Sequence, residues 1–224
     1  MIDINNIAPL TKKLIILNII VFIIQGLFPE FDFIGALHFF KSPDFEPYQI
    51  ISHMFMHGGF THILFNMFGL FIFGSPVEYR LGAKKFLIFY LLTGFGAVFL
   101  HIGVQLFENY NFVQQIELEY AQGLMSEYQY RFEYIEKFNV TVGASGAIFG
   151  LLTAFGLLFP NQPLFLIFVP IPIKAKYFVL LYAIYELYQG MQFSVGDNIA
   201  HFAHLGGALF GWIIITEWRK KHLI

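Results

Sequence analysis

Six long apolar stretches constrain the fold of this chain more than any other feature. A helix that crosses a membrane needs about 20 mostly apolar residues. Only 12% of the residues here are charged, against about a quarter in a soluble domain. The sequence therefore predicts an all-α membrane protein, a six-transmembrane-helix bundle that forms a single domain over residues 1–224. The predicted spans lie at roughly 14–28, 59–77, 86–105, 140–159, 173–190 and 198–216.

The first apolar stretch has two interpretations. It follows Lys12 and Lys13, as the apolar region of a secretory signal peptide would follow its basic residues. No small-x-small cleavage pattern comes after it, because the chain continues GLFPEFD. We therefore predict a retained span.

Basic residues indicate which ends of the spans face the cytoplasm, because Lys and Arg are enriched in cytoplasmic loops. Ten of the 13 basic residues lie on one side of the predicted spans. That side includes a short cytoplasmic N-terminus, residues 1–13, and a cytoplasmic tail, residues 217–224. The lack of a long cytoplasmic domain or targeting peptide favours a multi-pass protein of a prokaryotic plasma membrane. The ten residues are Lys12, Lys13, Arg80, Lys84, Lys85, Lys174, Lys176, Arg219, Lys220 and Lys221.

Segment 106–139, between the third and fourth predicted spans, differs from the rest of the chain. It is polar and rich in Glu and Tyr, and it is too long for a simple connection. Its apolar residues recur at roughly helical spacing, which predicts an extracytoplasmic helical insertion near the membrane surface. A partly ordered linker is the alternative. The apolar positions are Ile116, Tyr120, Leu124, Tyr128 and Ile135.

Composition excludes several function classes. The chain contains no cysteine, which removes disulfides, thiol nucleophiles and cysteine metal sites. Its 13 basic and 15 acidic residues nearly balance, so a nucleic-acid partner is not expected.

Polar side chains inside the predicted spans point to function, because such residues are costly in lipid. Ser145 lies about five residues into the fourth span and His204 about six residues into the sixth, which places both roughly 7–10 Å below the outer helix ends. His62 and Asn66 are four residues apart and share one face of the second span at a similar depth. Three spans thus bring a hydroxyl, an imidazole and hydrogen-bond donors to the same depth in the membrane.

Small residues predict that the fourth and sixth spans cross closely. His204, Gly207 and Gly211 share one face of the sixth span, and Gly146 and Gly150 form a four-residue step on the fourth. Patterns of small residues at this spacing allow two helix backbones to approach each other. A close crossing would bring the serine hydroxyl within hydrogen-bonding distance of the imidazole.

This set of groups suits nucleophilic catalysis by a serine. Ser145 is a weak nucleophile until a base takes its proton, and His204 can act as that base. Asn66, His62 and the N–H of Ser145 at a helix start could stabilise the oxyanion of a tetrahedral intermediate. No carboxylate lies at this depth on the fourth or sixth span, so a Ser–His dyad fits better than a triad. Glu186, on the fifth span, is the candidate third member, but we favour a structural or interfacial role for it.

Four motifs make the chain similar to a known family. In chain order they are HGGFTHILFN at 57–66, EYRLG at 78–82, GASG at 143–146 and AHFAHLGGALFG at 200–211. They resemble the second-helix motif, the E-x-R-x-G element, the nucleophile motif and the base-bearing sixth helix of rhomboid intramembrane proteases. The motifs occur in the family's order, and together they are far more specific than the nucleophile motif alone.

The resemblance implies a rhomboid-like bundle with Ser145 as nucleophile and His204 as its base. It assigns the oxyanion hole to His62, Asn66 and the amide of Ser145, and it gives Gly143 the role of shaping the loop before the serine. The family cleaves transmembrane segments of other proteins near small and helix-destabilising residues. The expected function is therefore that of a serine endopeptidase, with transmembrane proteins and the lipid bilayer as partners and with no cofactor.

The chain departs from the family pattern at two places. Many relatives have Trp-Arg in the first loop where this chain has Tyr48-Gln49, so the guanidinium that anchors that loop is missing. Some relatives have a Tyr that stacks on the catalytic His where this chain has Phe149. Stacking on the histidine is still expected there, without the hydroxyl.

Two other function classes remain open. The pairs His57-x4-His62 and His201-x2-His204 have tolerable spacing for a histidine-box metalloenzyme, but neither H-x-x-H-H nor H-E-x-x-H occurs. We therefore predict no metal site and expect His53, His57 and His201 to hydrogen-bond the first loop. The second class is a non-catalytic rhomboid-like binding protein. Such proteins usually lack the serine or the histidine, and this chain has both.

Overall fold

The computed structural model describes residues 7–138, 140–166, 169–192 and 200–224. Residues 1–6 of the predicted N-terminus, residue 139 of the insertion and residues 198–199 of the sixth predicted span lie outside this part. The described chain is mostly helical. Its helices are α1 (Pro9–Leu27), α2 (Glu30–Gly35), α3 (Gln49–Ser52, followed by the 3₁₀ turn His53–Phe55), α4 (Phe60–Gly69, followed by the π-helical turn Leu70–Gly74), α5 (Ser75–Leu81), α6 (Ala83–Glu108), α7 (Tyr110–Ala121), α8 (Glu127–Lys137), α9 (Ser145–Leu158), α10 (Ala175–Met191) and α11 (His201–Lys220).

Each predicted apolar stretch overlaps a helix or a continuous helical run. Among the described residues, three runs are long and apolar enough to cross a membrane, namely Pro9–Leu27, Phe60–Leu81 and Ala83–Glu108. Helix α9 is apolar but has only 14 residues, and at about 1.5 Å per residue it is shorter than a typical hydrocarbon core. The mostly helical fold is confirmed, and the number of six spans stays a prediction.

The N-terminus of α1 is anchored by Glu78, the acidic residue of the EYRLG motif. Its buried carboxylate accepts hydrogen bonds from the backbone N–H of Leu10 at 2.9 Å and of Thr11 at 2.7 Å, and from the Thr11 hydroxyl at 2.8 Å. The first N–H groups of a helix have no acceptor within the helix and favour a negative charge. These contacts explain why α1 begins at Pro9, ahead of the predicted apolar stretch.

Two short antiparallel strands lie between α9 and α10, and they correct the all-α prediction on this point. Strand β1 (Pro163–Leu166) pairs with β2 (Val169–Lys174). Proline disfavours a helix interior but is tolerated at sheet edges. Both strands of a two-stranded sheet are edges, so Pro163 and Pro172 fit the hairpin where they would break a helix.

Helix α11 packs against α6 and α9. A Cβ added to Gly207 would overlap the backbone oxygen of Gly146, and one added to Gly211 would lie 2.8 Å from the backbone oxygen of Gly150. The two rows of glycines on α9 and α11 therefore face each other at backbone contact, which only residues without a side chain allow.

Two helices, α7 and α8, occupy most of the insertion at 106–139, and they pack on loop 1, the segment 28–59 between α1 and α4. Phe39 of loop 1 stacks on Phe138 with ring centroids 4.0 Å apart. The same buried cluster contains Val113, Ile116 and Tyr134. The insertion thus has an apolar face of its own that covers loop 1, and its extracytoplasmic position stays a prediction.

Candidate active site

The side chains of Ser145 and His204 are within hydrogen-bonding distance. The Ser145 Oγ lies 2.9 Å from Nε2 of His204. Ser145 begins α9 and His204 lies in the first turn of α11, so the backbone contact of Gly207 with Gly146 brings these two helix ends together. A hydroxyl in this position can pass its proton to the ring nitrogen, which is what a serine nucleophile requires.

Phe149 stacks on the imidazole of His204. The ring centroids are 4.1 Å apart and the planes differ by 7°. On α10, Tyr182 contacts the same phenyl ring, with ring centroids 5.0 Å apart. The phenyl ring therefore restricts the plane of the imidazole and excludes water from one of its faces.

The turn before the serine depends on Gly143. This residue has φ +120°, a conformation that glycine adopts far more readily than any residue with a side chain. A Cβ here would also lie 2.7 Å from Nε2 of His62. The N–H of Gly143 donates to the backbone oxygen of His53 at 2.8 Å, so loop 1 holds the turn that presents Ser145.

The candidate oxyanion donors His62 and Asn66 lie one turn apart on α4. Asn66 donates from Nδ2 to the backbone oxygen of His62 at 2.9 Å, and its buried Oδ1 has no hydrogen-bond partner among the described residues. Nδ1 of His62 accepts the N–H of Gly58 at 3.3 Å, so the hydrogen of the neutral ring is on Nε2, beside Gly143. In the described part of the chain, no hydrogen bond joins Asn66 or His62 to Ser145.

A carboxylate from α10 completes the contacts of His204. Oε2 of Glu186 lies 3.0 Å from Nδ1 of His204 and 2.6 Å from Nδ1 of His201. We expected a structural or interfacial role for Glu186 and hydrogen bonds from His201 to the first loop, whereas the structure places both beside His204. An acidic residue in an apolar stretch is itself a signal of function, but the sequence does not reveal which neighbour that face of α10 meets.

Most of the chain is similar to a family of known proteins. Residues 44–220 match the model of the Rhomboid domain. The chain belongs to the rhomboid family. The matched region begins within loop 1, runs to the end of α11 and contains Ser145, Glu186 and His204.

Individual relatives of this rhomboid come from bacteria and from eukaryotic organelles. The putative rhomboid protease YdcA of Bacillus subtilis is 29% identical over 183 residues, which cover 79% of this chain and 72% of the relative. The mitochondrial RHOMBOID-like protein 6 of Arabidopsis thaliana is 26% identical over 170 residues, 75% of this chain and 43% of the relative. Rhomboid protease GlpG of Klebsiella pneumoniae is 34% identical over 97 residues, 41% of this chain and 35% of the relative.

The alignment with the plant relative therefore spans less than half of that relative's length. The match with the mitochondrial Rhomboid protein 1 of Saccharomyces cerevisiae also covers 43% of the relative. Family membership and the apolar helices together make this rhomboid a membrane-embedded protein.

Gln49 organises loop 1 where many rhomboids have Arg. Its side chain is 2% exposed. Oε1 accepts the N–H groups of His38 at 3.3 Å and Glu46 at 3.1 Å, and Nε2 donates to the backbone oxygens of Ile34 at 3.4 Å and Asp44 at 3.1 Å. One amide side chain thus satisfies four backbone groups of the loop.

A guanidinium nevertheless reaches loop 1 of this rhomboid, from the insertion. Arg131 of α8 forms an ion pair with Asp44, and Lys41 pairs with Glu117 of α7 at 2.8 Å. Position 49 itself has no Arg, and the charged contacts that α7 and α8 make with the same loop were not predicted from the sequence.

His53 connects this loop to the serine turn. Burial lowers the pKa of His53 to about 4, so the ring is neutral at pH 7. Its Nδ1 donates to the backbone oxygen of Gln49 at 2.8 Å, while its own backbone oxygen holds Gly143. His57 also contacts the loop, since its Nδ1 lies 3.2 Å from the backbone oxygen of Phe55.

Three side chains of the described rhomboid could in principle hold a metal ion. Glu186, His201 and His204 place one candidate ligand atom each within 4.8 Å of one another. In the structure, Nδ1 of each histidine is hydrogen-bonded to the carboxylate, and Nε2 of His204 faces Ser145. The second pair of the metalloenzyme alternative, His57 and His62, has ring centroids 5.2 Å apart.

Proposed function

We propose that this rhomboid is an intramembrane serine endopeptidase that cleaves transmembrane segments of other membrane proteins. The observation that carries the proposal is the 2.9 Å contact between Oγ of Ser145 and Nε2 of His204. Family membership supports it, because relatives in Bacillus subtilis and Klebsiella pneumoniae are named as proteases.

The proposed reaction begins with proton transfer from Ser145 to His204. Oγ attacks the carbonyl carbon of the scissile peptide as its hydrogen moves to Nε2. The protonated imidazole then gives that hydrogen to the leaving amine, which produces an acyl-enzyme and a free amino terminus. A water molecule, deprotonated by His204, then attacks the ester, and His204 returns that hydrogen to Oγ of Ser145 as the carboxyl product leaves.

The oxyanion hole is proposed to consist of the Ser145 amide, Asn66 and His62. The amide of Ser145 belongs to the first turn of α9, where N–H groups have no acceptor within the helix. Nδ2 of Asn66 has a second hydrogen besides the one bonded to the backbone oxygen of His62, and Nε2 of His62 carries a hydrogen beside Gly143. These three donors are proposed to bind the oxyanion that forms when Ser145 attacks the peptide carbonyl.

Asn66→Ala should lower kcat by about 10²–10³-fold, the usual loss for one oxyanion donor. The effect should fall on kcat more than on KM, because the oxyanion exists only during the reaction. Steady-state cleavage of a transmembrane substrate measures both constants. An unchanged kcat would remove Asn66 from the oxyanion hole.

We propose a six-span topology in a prokaryotic plasma membrane, with both termini cytoplasmic and the insertion outside. The supporting observation is the clustering of ten of the 13 basic residues on one side. Because the chain has no cysteine, single cysteines can report the topology. An impermeant maleimide on intact cells should label Tyr128→Cys and leave His222→Cys unlabelled. The reverse pattern would contradict this orientation.

The proposed activity is tested with purified protein, a detergent and a model transmembrane substrate. Wild type should produce two fragments, and Ser145→Ala should produce none under the same conditions. Cleavage that persists in Ser145→Ala would contradict the proposal.

A further inference from the structure

We propose that Glu186 is a positioning residue that fixes the tautomer and orientation of His204, so that the dyad acts as a Ser–His–Glu triad. The inference rests on the proposed function and goes beyond it, because it assigns a role to a residue outside the four sequence motifs. Its observation is the 3.0 Å contact of Oε2 with Nδ1 of His204, on the ring edge opposite Ser145.

The chemistry of these groups determines the direction of both hydrogen bonds. An ionised carboxylate can only accept, so Nδ1 of His204 must donate to Glu186. A neutral imidazole carries a single N–H, and Nε2 is then left with a lone pair. That lone pair faces Oγ of Ser145, which is the state in which the ring can take the serine proton.

Two contacts together restrict the position of the imidazole. The stack with Phe149 holds the plane of the ring, with a 7° interplanar angle. A stacked ring can still rotate within its own plane, and the bond from Nδ1 to Glu186 prevents this. When His204 gains the serine proton, the adjacent carboxylate also stabilises the positive charge on the ring, as the acidic residue of a catalytic triad does.

His201 keeps the carboxylate in place. Glu186 is 3% exposed, and a buried carboxylate is costly unless hydrogen bonds compensate for the lost water. Nδ1 of His201, one turn before His204 on α11, lies 2.6 Å from the same Oε2. One oxygen thus accepts from two imidazoles, and the second histidine gives the carboxylate a fixed location.

The experiment compares Glu186→Gln with His201→Gln as a matched control. His201→Gln changes one of the two donors to the shared oxygen, whereas Glu186→Gln changes the acceptor itself and removes the charge beside His204. Three quantities are measured for each: the labelling rate of Ser145 by a small fluorophosphonate, kcat and KM on a transmembrane substrate, and Tm in detergent. The small probe reports the nucleophile without requiring a transmembrane substrate to bind.

Glu186→Gln should lower both the labelling rate and kcat by roughly 10²-fold or more, with KM nearly constant. The loss can approach the roughly 10⁴-fold that an acid-to-amide change causes in a serine protease triad, where the amide favours the wrong tautomer. His201→Gln should keep at least about tenfold more labelling than Glu186→Gln, even if both variants lower Tm equally. If Glu186→Gln does not purify folded, Glu186→Asp, which draws the carboxylate away by one methylene, should also lose more than about tenfold.

Several results would overturn the inference. If Ser145 of Glu186→Gln were labelled at the wild-type rate, the carboxylate would not act on His204. Equal losses of labelling in the two glutamine variants would show that Glu186 only stabilises the packing of α10 against α11. Loss of wild-type labelling on chelation would make the Glu–His–His cluster a metal site. Failure of wild type to label at Ser145 would overturn the proposed function as well, whereas normal cleavage in both wild type and Glu186→Gln would overturn this inference alone.

Discussion

Alanine in place of His204 should reduce fluorophosphonate labelling of Ser145 by more than about 10³-fold while the protein remains folded. The loss follows because the hydroxyl then has no base to take its proton, and removing the base of a serine protease costs several orders of magnitude in rate. In the structure, Nε2 of His204 is the nitrogen that lies 2.9 Å from Oγ. Mass spectrometry of the labelled peptide identifies the modified residue, and Tm in detergent reports folding.

His201→Ala is the matched control for this prediction. It removes an imidazole that shares Glu186 with His204 but does not contact Oγ of Ser145 in the described structure. It should label far more than His204→Ala does. Equal labelling in the two histidine variants would contradict the assignment of the base. If chelation abolished cleavage and no probe attached to Ser145, the metalloenzyme alternative would replace the protease.

Gly207→Leu should lower both labelling and substrate cleavage by orders of magnitude. A Cβ at this position already overlaps the backbone oxygen of Gly146. The Cβ is attached directly to the backbone of α11 and the oxygen is part of the backbone of α9, so the overlap can be relieved only by separating the two helices. A displacement of about 1 Å between reacting groups can cost roughly 100-fold in rate. Overpacking of this kind also destabilises a protein, commonly by about 1–3 kcal/mol, so Tm should fall as well.

Gly103→Leu provides the control for the helix crossing. Gly103 lies on α6, and an added Cβ there meets no atom within 4 Å. The same substitution of leucine for glycine should therefore leave labelling close to that of wild type. Gly207→Ala adds only the Cβ that overlaps the oxygen of Gly146, so its loss of labelling should lie between those of Gly103→Leu and Gly207→Leu. Normal turnover in Gly207→Leu would show that this face of α11 does not set the distance between Ser145 and His204.

Much of the candidate site could be predicted because its residues follow local rules. The apolar stretches predict where helices occur, and the four-residue spacing of Gly146 and Gly150 predicts a face that another backbone can approach. Counting residues from the predicted helix starts placed Ser145 and His204 at one depth. The structure brings the two side chains together and places Phe149 on the imidazole, where the family resemblance implied a ring.

The contacts of Glu186 and Gln49 could not be predicted in this way. The expectation of a dyad rested on the lack of a carboxylate at this depth on the fourth and sixth spans, and it favoured a structural or interfacial role for Glu186 on the fifth, whose carboxylate lies beside His204. Nothing in the sequence of α10 specifies how far the helix is rotated about its axis, and that rotation decides whether Glu186 meets lipid, a loop or His204. The same holds for Gln49, whose amide bonds four backbone groups that are remote from any motif.

The sequence by itself determined the membrane-protein class, the family, the helical segments and the pair of residues proposed to react. These depend on composition, on spacing within one helix and on motifs that can be recognised one segment at a time. Only the tertiary structure decided that His204 has a carboxylate partner, that the insertion docks on loop 1 through Arg131 and the cluster around Phe39, and that a β-hairpin precedes α10. Those features arise from pairings between segments far apart in the chain, whose relative rotation and distance are set by the packing of the whole bundle.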